Sequence, residues 1–557
     1  APCGAGRKNA SMGPVSSGES LLSVAERSGA LDALERERFD LAIIGGGITG
    51  AGLARDAALR GLSVALFEAE DFAAGTSSRS SKLIHGGLRY LALGDVGLVR
   101  ESALERKVIF RLAPHLAERR WMVLPVRSRA ALLKFRAAIT TYEKLGAVER
   151  DDLHQNWAAA ELERYEPALD RSEWRYACAY REYLTDDARL VLANLRAAAG
   201  LGARALNWAP VSEILLENGR AAGVTVKCRL TGREARVRAG CVVNAAGAWV
   251  EALRRLEDAA APTLLHLSKG VHVGISAARL PVRNLLLLAT DDRRGIFALR
   301  RDEIVFIGTT DTSYRRGAEL WPRISRADVE YLLAPLQHYF ADMKLEPDDV
   351  GTAWAGLRPL VAEPGKPPTD ISRKDEILVG RAGVVTIAGG KLTGYRPMAQ
   401  RTLEQVAVVL GRKLPEEREG PPLPGGDFAG DLGPFADGLA RERGIAATAA
   451  HRLARLYGSE AGTVLSLGAA PLAPGAPVVA GEVDWAVRHE AAATVEDVLY
   501  RRTRVALFEP DARGAVAPGI ARRMAELLGW DAAKAAAELA RAEARLRADL
   551  DFSDEPA

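Results

Sequence analysis

Three glycines, Gly45, Gly47 and Gly50, follow directly on a short apolar run, Leu41 to Ile44, and open a helical pattern. In such a turn the first glycine permits the sharp bend and the second lets the backbone approach a pyrophosphate. The third lets the helix pack close to the strand. The helix N-terminus offers free N–H groups and the positive end of its dipole to phosphates. A second apolar run, residues 63–67, ends at Glu68, which is placed to accept hydrogen bonds from ribose hydroxyls. Glycine spacing alone is a weak signal. With both strands, the helix and the acid in register, residues 39–68 predict a dinucleotide-binding βαβ unit.

Length sets how much else must be built. A chain of 557 residues is too long for one hydrophobic core and predicts two or three domains. Its formal net charge of +3 is nearly balanced, which argues against a general nucleic-acid binder and moves attention to local charge. Cys3, Cys178, Cys228 and Cys241 are scattered without ligand spacing, so neither a zinc site nor a disulfide framework is expected. No apolar run reaches about 18 residues, and no secretory leader pattern is visible.

The residues after Glu68 are more specific. Residues 76–91 read TSSRSSKLIHGGLRYL. This order of hydroxyls, Lys, His, paired glycines and Arg-Tyr resembles the flavin-contacting segment of FAD-dependent glycerol-3-phosphate dehydrogenases. The resemblance extends from about Phe39 to at least Leu507. It implies an α/β FAD-binding Rossmann-like domain, discontinuous in sequence, with an inserted antiparallel β-sheet substrate domain and a C-terminal all-α domain. The FAD domain with its insert is expected over residues 39–410, the insert lying mainly in 120–182 and 255–345. Residues 350–360 and 384–396 are expected to return to the nucleotide domain. Residues 1–38 would form a disordered or helical extension, 411–433 a Pro/Gly-rich linker and 434–557 the helical domain.

The resemblance also implies roles. Gly45, Gly47, Gly50, Glu68, Thr76, Ser77, Ser78, Ser81 and Lys82 would hold FAD, joined by Ala246, Gly247, Gly390, Lys391, Leu392 and Thr393. Arg89, Tyr90, Arg358, Lys391 and Thr393 would line a site for sn-glycerol 3-phosphate, since guanidinium forks suit a phosphate dianion. Oxidation of its secondary alcohol needs a proton acceptor. His85 and His272 are both candidates, as are water and an assisting cation. Cationic Arg358 and Lys391 would also stabilise a developing alkoxide. Asp311 matches the family pattern and is expected to be structural.

Residues 119–145 carry Arg119, Arg120, Arg127, Arg129, Lys134 and Arg136, with no acid before Glu143 and apolar residues at helical spacing. This predicts a basic amphipathic helix. It either faces a core with a solvated basic side, or meets an anionic membrane surface. The resemblance implies the second, with a location on the cytoplasmic face of the membrane, ubiquinone or menaquinone as acceptor, and a homodimer left open. Arg501, Arg502 and Arg504, against Glu490, Glu496 and Asp497, predict a buried charge network or a docking surface. Four functions remain: a quinone-linked dehydrogenase, an oxidase using O2, an amino- or imino-acid oxidase, and a non-catalytic flavin-binding protein.

Overall fold

The computed structural model describes residues 22–87, 95–290, 292, 294–340, 343–363, 374–416 and 419–552. Two sheets organise it. In the first, Arg38–Ile44 lies between Glu234–Asn244 and Val64–Phe67 and is parallel to both, with Ile44 opposite Asn244 and Phe67. Val385–Gly389 extends the sheet beyond Glu234–Asn244, and Arg204–Leu206 extends it beyond Val64–Phe67. Such parallel strands need both faces covered. Helices Ile48–Leu59, Asp187–Gly200 and Tyr395–Leu410 cover one face, burying Leu41, Ile43, Leu53, Leu190 and Leu403 together. The hairpin Val211–Glu217/Arg220–Lys227 and helix Arg27–Arg36 cover the other, around Ala42, Phe67, Val224 and Leu34.

The second sheet is mostly antiparallel. Its order is Thr312–Ser313, Leu265–Ser276, Ile304–Gly308, Gly295–Arg301, Leu285–Ala289, Glu118–Val126, Tyr176–Leu184 and Leu83–Ile84. Val350–Val361 also belongs here. It pairs antiparallel with Leu265–Ser276 along nearly its whole length, and so does not return to the nucleotide sheet as expected. The alternation of that segment is equally compatible with either sheet. Only the register, which sets Arg358 opposite Ser268 and Gly356 opposite Gly270, decides its partner.

The basic segment also differs from expectation. Glu118–Val126 is a strand deep in the second sheet, and only Arg129–Leu145 is helical, capped by the Ser128 hydroxyl. Arg119 is only partly exposed, and its charge is met by ion pairs with Asp152 at 3.0 Å and Asp431 at 2.8 Å. The helix buries Ile139 and Tyr142 and leaves Leu133 61% exposed among Lys134, Arg136 and Lys144. Residues 411–433 are more than a tether, since Leu423 is buried in the core of the nucleotide domain.

The C-terminal helices share a core with the second sheet. Leu499, Phe508, Val516 and Ile520 pack with Tyr180, Phe306 and Trp354. Charge then fixes this domain against the nucleotide unit. Asp71, just past the second strand, receives Arg501 at 2.5 Å and Arg502 at 2.6 Å, and all three are sealed from water. The run of C-terminal arginines is thus a buried network and not a docking surface. Burial pushes the Asp71 carboxyl up, but Arg502 and Arg501 outweigh it and hold it down to about 2. Its contribution to stability is therefore complete above its ordinary pKa of 3.8 and is lost as pH falls through about 2.

Removing one partner of a buried pair strands the other charge and costs about 3–5 kcal/mol. Asp71→Ala is expected to lower the thermal unfolding midpoint by several degrees. Arg233→Ala, whose pairs with Asp32 and Glu35 lie in solvent, should leave it unchanged.

Candidate functional site

The two sheets meet around one continuous cavity of about 550 Å³. At one end lies the glycine turn. Gly45 adopts φ +116°, and a Cβ there would sit 2.5 Å from the Ala245 carbonyl oxygen. At Gly50 a Cβ would sit 1.9 Å from the Gly45 oxygen, so helix Ile48–Leu59 starts against its own turn only because residue 50 has no side chain. Gly45 and Gly47 line the cavity, whereas Gly50 acts behind it through this packing. The Ser77 hydroxyl accepts the Ile48 N–H at 2.9 Å, bringing the hydroxyl-rich segment onto the helix N-terminus. Glu68 lines the same end. It accepts the Gly46 and Glu70 N–H groups at 2.7 and 2.9 Å, and burial raises its pKa.

The segment after Gly75 divides its side chains. Thr76, Ser77, Arg79, Ser80, Ser81 and His85 line the cavity. Ser78 and Lys82, both expected to touch the cofactor, do not. Lys82 is fully buried, pairs with Asp187 at 3.0 Å and donates to the Ser78 carbonyl at 2.9 Å. Burial pulls its pKa down to about 7, against the pull of Asp187. A cation beside hydroxyls reads in sequence like a phosphate ligand, but the buried carboxylate of Asp187 takes it inward. Arg79 was absent from the expected site; its guanidinium lies 3.7 Å from the centroid of the Trp321 ring and donates to the Leu320 carbonyl. The signal was available, as a cation inside a run of serines.

The far wall is a face of the second sheet paved with glycine. A Cβ on Gly270 would meet the Arg358 guanidinium at 2.3 Å, and one on Gly308 would meet the His272 ring at 2.1 Å. Both large side chains thus lie flat across glycines of neighbouring strands. Arg358 donates to the Thr309 hydroxyl at 2.8 Å and the Thr310 carbonyl at 3.1 Å, and pairs with Asp311 at 3.3 Å. Asp311 also accepts the Ser268 hydroxyl, so its structural role is to hold the arginine fork.

The two histidines differ. His272 is buried, stacks on Trp354 with centroids 5.2 Å apart, and meets the Ser81 hydroxyl at 2.9 Å. Burial, with Lys82 and Arg358 nearby, drives its pKa well below the ordinary histidine value, so it is neutral at physiological pH. His85 lines the cavity, with its backbone N–H and carbonyl both bonded to the Thr393 hydroxyl at 3.2 Å. Thr393, 2% exposed, thus braces His85 and also lines the cavity.

Ala246, Gly247, Gly390, Lys391, Leu392 and Thr393 all line the cavity. Arg89 and Tyr90 lie outside the described residues. The structure therefore brings together the glycine turn, Glu68, Ser77, Ser81, His85, His272, Arg358 and Lys391.

These residues fit a flavin dinucleotide. The cavity joins a glycine-lined helix N-terminus and a ribose-type acid to a wall formed by Gly270, His272, Gly356 and Arg358. Glu68 can hold a ribose, the Gly47 turn with Ser77 a pyrophosphate, and residues 246–247 and 390–392 the remainder. The family model described as FAD dependent oxidoreductase matches residues 40–396. The chain belongs to that class of enzyme, and its cofactor is FAD.

Residues 419–535 match a second model, the C-terminal domain of alpha-glycerophosphate oxidase. The aerobic glycerol-3-phosphate dehydrogenase of Bacillus subtilis is 37% identical over 527 residues, covering 91% of this chain and 94% of that protein. Its namesake in Staphylococcus aureus strain MRSA252 is 38% identical over 452 residues, 79% of this chain and 81% of the relative. A solved structure of the glycerol-3-phosphate dehydrogenase from Bacillus halodurans, complexed with FAD, superposes with a TM-score of 0.79 at 32% identity. It covers 96% of this chain and 100% of that one. An L-alpha-glycerophosphate oxidase from Mycoplasma pneumoniae shares the fold at 16% identity and a TM-score of 0.54, covering 70% of this chain and 98% of that one. Within the FAD-dependent oxidoreductases, the chain is a member of the aerobic glycerol-3-phosphate dehydrogenase family.

Gly50→Ala forces the turn and helix apart. The expected outcome is a folded protein that purifies without the visible absorption of bound flavin; a yellow Gly50→Ala protein would contradict the packing argument.

Proposed function

We propose that the enzyme oxidises sn-glycerol 3-phosphate to dihydroxyacetone phosphate and passes the electrons to a membrane quinone. The observation that carries this is the presence of two cations from distant parts of the chain, Arg358 and Lys391, in the lining of the same cavity as the glycine turn. The names of the relatives agree with it. FAD supplies the two-electron acceptor for the hydrogen leaving carbon 2 of the substrate.

The chain's own side chains do the rest. Arg358, its fork pre-oriented by Asp311 and Thr309, holds the phosphate with Lys391, and both favour negative charge on the alcohol oxygen. An imidazole nitrogen of His85 accepts the hydroxyl proton, with its backbone steadied by Thr393. His272 is a poorer acceptor, since its Nε2 is engaged by Ser81 and its environment resists positive charge. It orients Ser81 instead.

A phosphate site argues against an amino-acid substrate, because a single carboxylate needs fewer cations. The electron acceptor is a finer question, and O2 is the alternative reading. Quinone is favoured by the named dehydrogenase relatives and by the exposed face of Arg129–Leu145. That face sets Leu133 among cations, as a monotopic contact with anionic lipid requires. Among the described residues, no helix is long and apolar enough to cross a membrane.

Anaerobic addition of sn-glycerol 3-phosphate to the purified yellow protein should bleach its flavin band, and a band that persists would sink the reading. Reoxidation should be faster with a ubiquinone analogue in anionic vesicles than with O2; the reverse order would make the enzyme an oxidase. Arg358→Ala should raise KM at least tenfold with FAD retained. His85→Gln should lower kcat by roughly 100-fold, in the range of a lost general base. A smaller loss in His85→Gln than in His272→Gln would exchange their roles.

A further inference from the structure

We propose that Arg504, a residue of the C-terminal helical domain, is a positioning residue for FAD, acting through the segment of residues 77–82. This rests on the cavity's being the FAD site, and not on the identity of the substrate.

Arg504 is 1% exposed and sits in the left-handed region at φ +61°. A non-glycine residue pays for that conformation and keeps it where surrounding contacts over-determine it. All three guanidinium nitrogens are engaged. Nε pairs with Asp186 at 3.1 Å, and Nη1 donates to the Tyr500 carbonyl at 2.7 Å. Nη2 donates to Asp187 at 2.8 Å and to the Ser78 carbonyl at 3.3 Å. One side chain thereby spans the preceding helical turn Val498–Arg502, the start of helix Asp187–Gly200 and the cofactor segment.

Asp187 passes this hold onward. Its second oxygen accepts the Ser80 N–H at 3.0 Å, the Ser80 hydroxyl at 2.7 Å and the Lys82 ammonium at 3.0 Å. Lys82, itself left-handed at φ +55°, donates to the carbonyls of Ser78 and Ser80. The backbone from Ser78 to Lys82 is therefore bound on its buried side by Arg504, Asp187 and Lys82. Its other side presents Ser77 to the Ile48 N–H and Ser81 to His272, and both serines line the cavity. Loss of Arg504 removes one of the two donors to the Ser78 carbonyl and a cation that fixes Asp187, which loosens this side of the loop. The hydroxyls then lose fixed positions against a bound dinucleotide. A loop held only locally, by Lys82 and Asp187, would not require the C-terminal domain at all.

The test compares Arg504→Lys, which keeps the buried charge but cannot make these four contacts together, with Asp71→Asn. The latter weakens the same domain junction without touching residues 77–82. Apo-protein is titrated with FAD, following quenching of flavin fluorescence, and amide hydrogen exchange is measured in peptides spanning residues 76–84. Arg504→Lys is expected to raise the FAD Kd at least tenfold and speed exchange in that segment. Asp71→Asn is expected to lower the unfolding midpoint comparably while leaving both readouts near wild type. Arg504→Gln should match or exceed the effect of Arg504→Lys. If Arg504→Lys and Asp71→Asn change FAD affinity and segment exchange equally, Arg504 is a structural tie of the domain junction and the proposal fails.

Discussion

Asp71, Asp186 and Asp187 carry three negative charges into a region sealed from water, where Lys82, Arg501, Arg502 and Arg504 meet them. Burying ions is expensive, and such a cluster is tolerable only when every member has its partners. Here the partners come from four separate places: the end of the second strand, the cofactor segment, the start of helix Asp187–Gly200 and the C-terminal helices. Lys82 finds Asp187 within the nucleotide domain, but Asp71, Asp186 and Asp187 also draw Arg501, Arg502 and Arg504 from the C-terminal helices. The nucleotide domain and the helical domain are therefore fixed in one relative register. The hydrophobic contact between the C-terminal helices and the second sheet supplies much of the attraction. The charges decide which arrangement is allowed.

The cavity depends on that arrangement. One wall is backbone and glycine at the start of a helix, suited to phosphates. The other is a sheet face on which Gly270, Gly308 and Gly356 leave room that Arg358, His272 and Arg79 partly fill. Glycine thus does opposite things at the two ends. It lets a ligand approach the main chain at Gly45 and Gly47, and it lets large functional side chains lie flat at Gly270 and Gly308.

Much of this was legible in the residues. The apolar runs, the glycine spacing and Glu68 specified the βαβ unit because its chemistry is local, and the C-terminal arginines declared a charge cluster. What could not be read was partnership across long separations. Val350–Val361 has the pattern of a strand, but nothing in it names Leu265–Ser276 as its neighbour. Arg119 and Arg120 looked like the beginning of a basic helix. The apolar side chains Met122 and Leu124 mark a buried strand, and Asp152 and Asp431, distant in sequence, neutralise Arg119. Lys82 had the setting of a ligand until Asp187 drew it inward. Arg358, His85 and Lys391, which line the cavity, stand out in the sequence because glycine-flanked cations and imidazoles are conspicuous. Asp311 and Thr393 support them by contacts that no spacing reveals.

In the proposed function this one cavity presents carbon 2 of sn-glycerol 3-phosphate to the flavin, with Arg358 and Lys391 holding the phosphate. The most direct measurement is the rate of anaerobic flavin bleaching by rapid mixing, using substrate deuterated at carbon 2 or at carbon 1. Deuterium at carbon 2 should slow bleaching and deuterium at carbon 1 should not. Slowing by the carbon 1 label alone would contradict it, because the substrate would then be held by different groups and in the opposite sense.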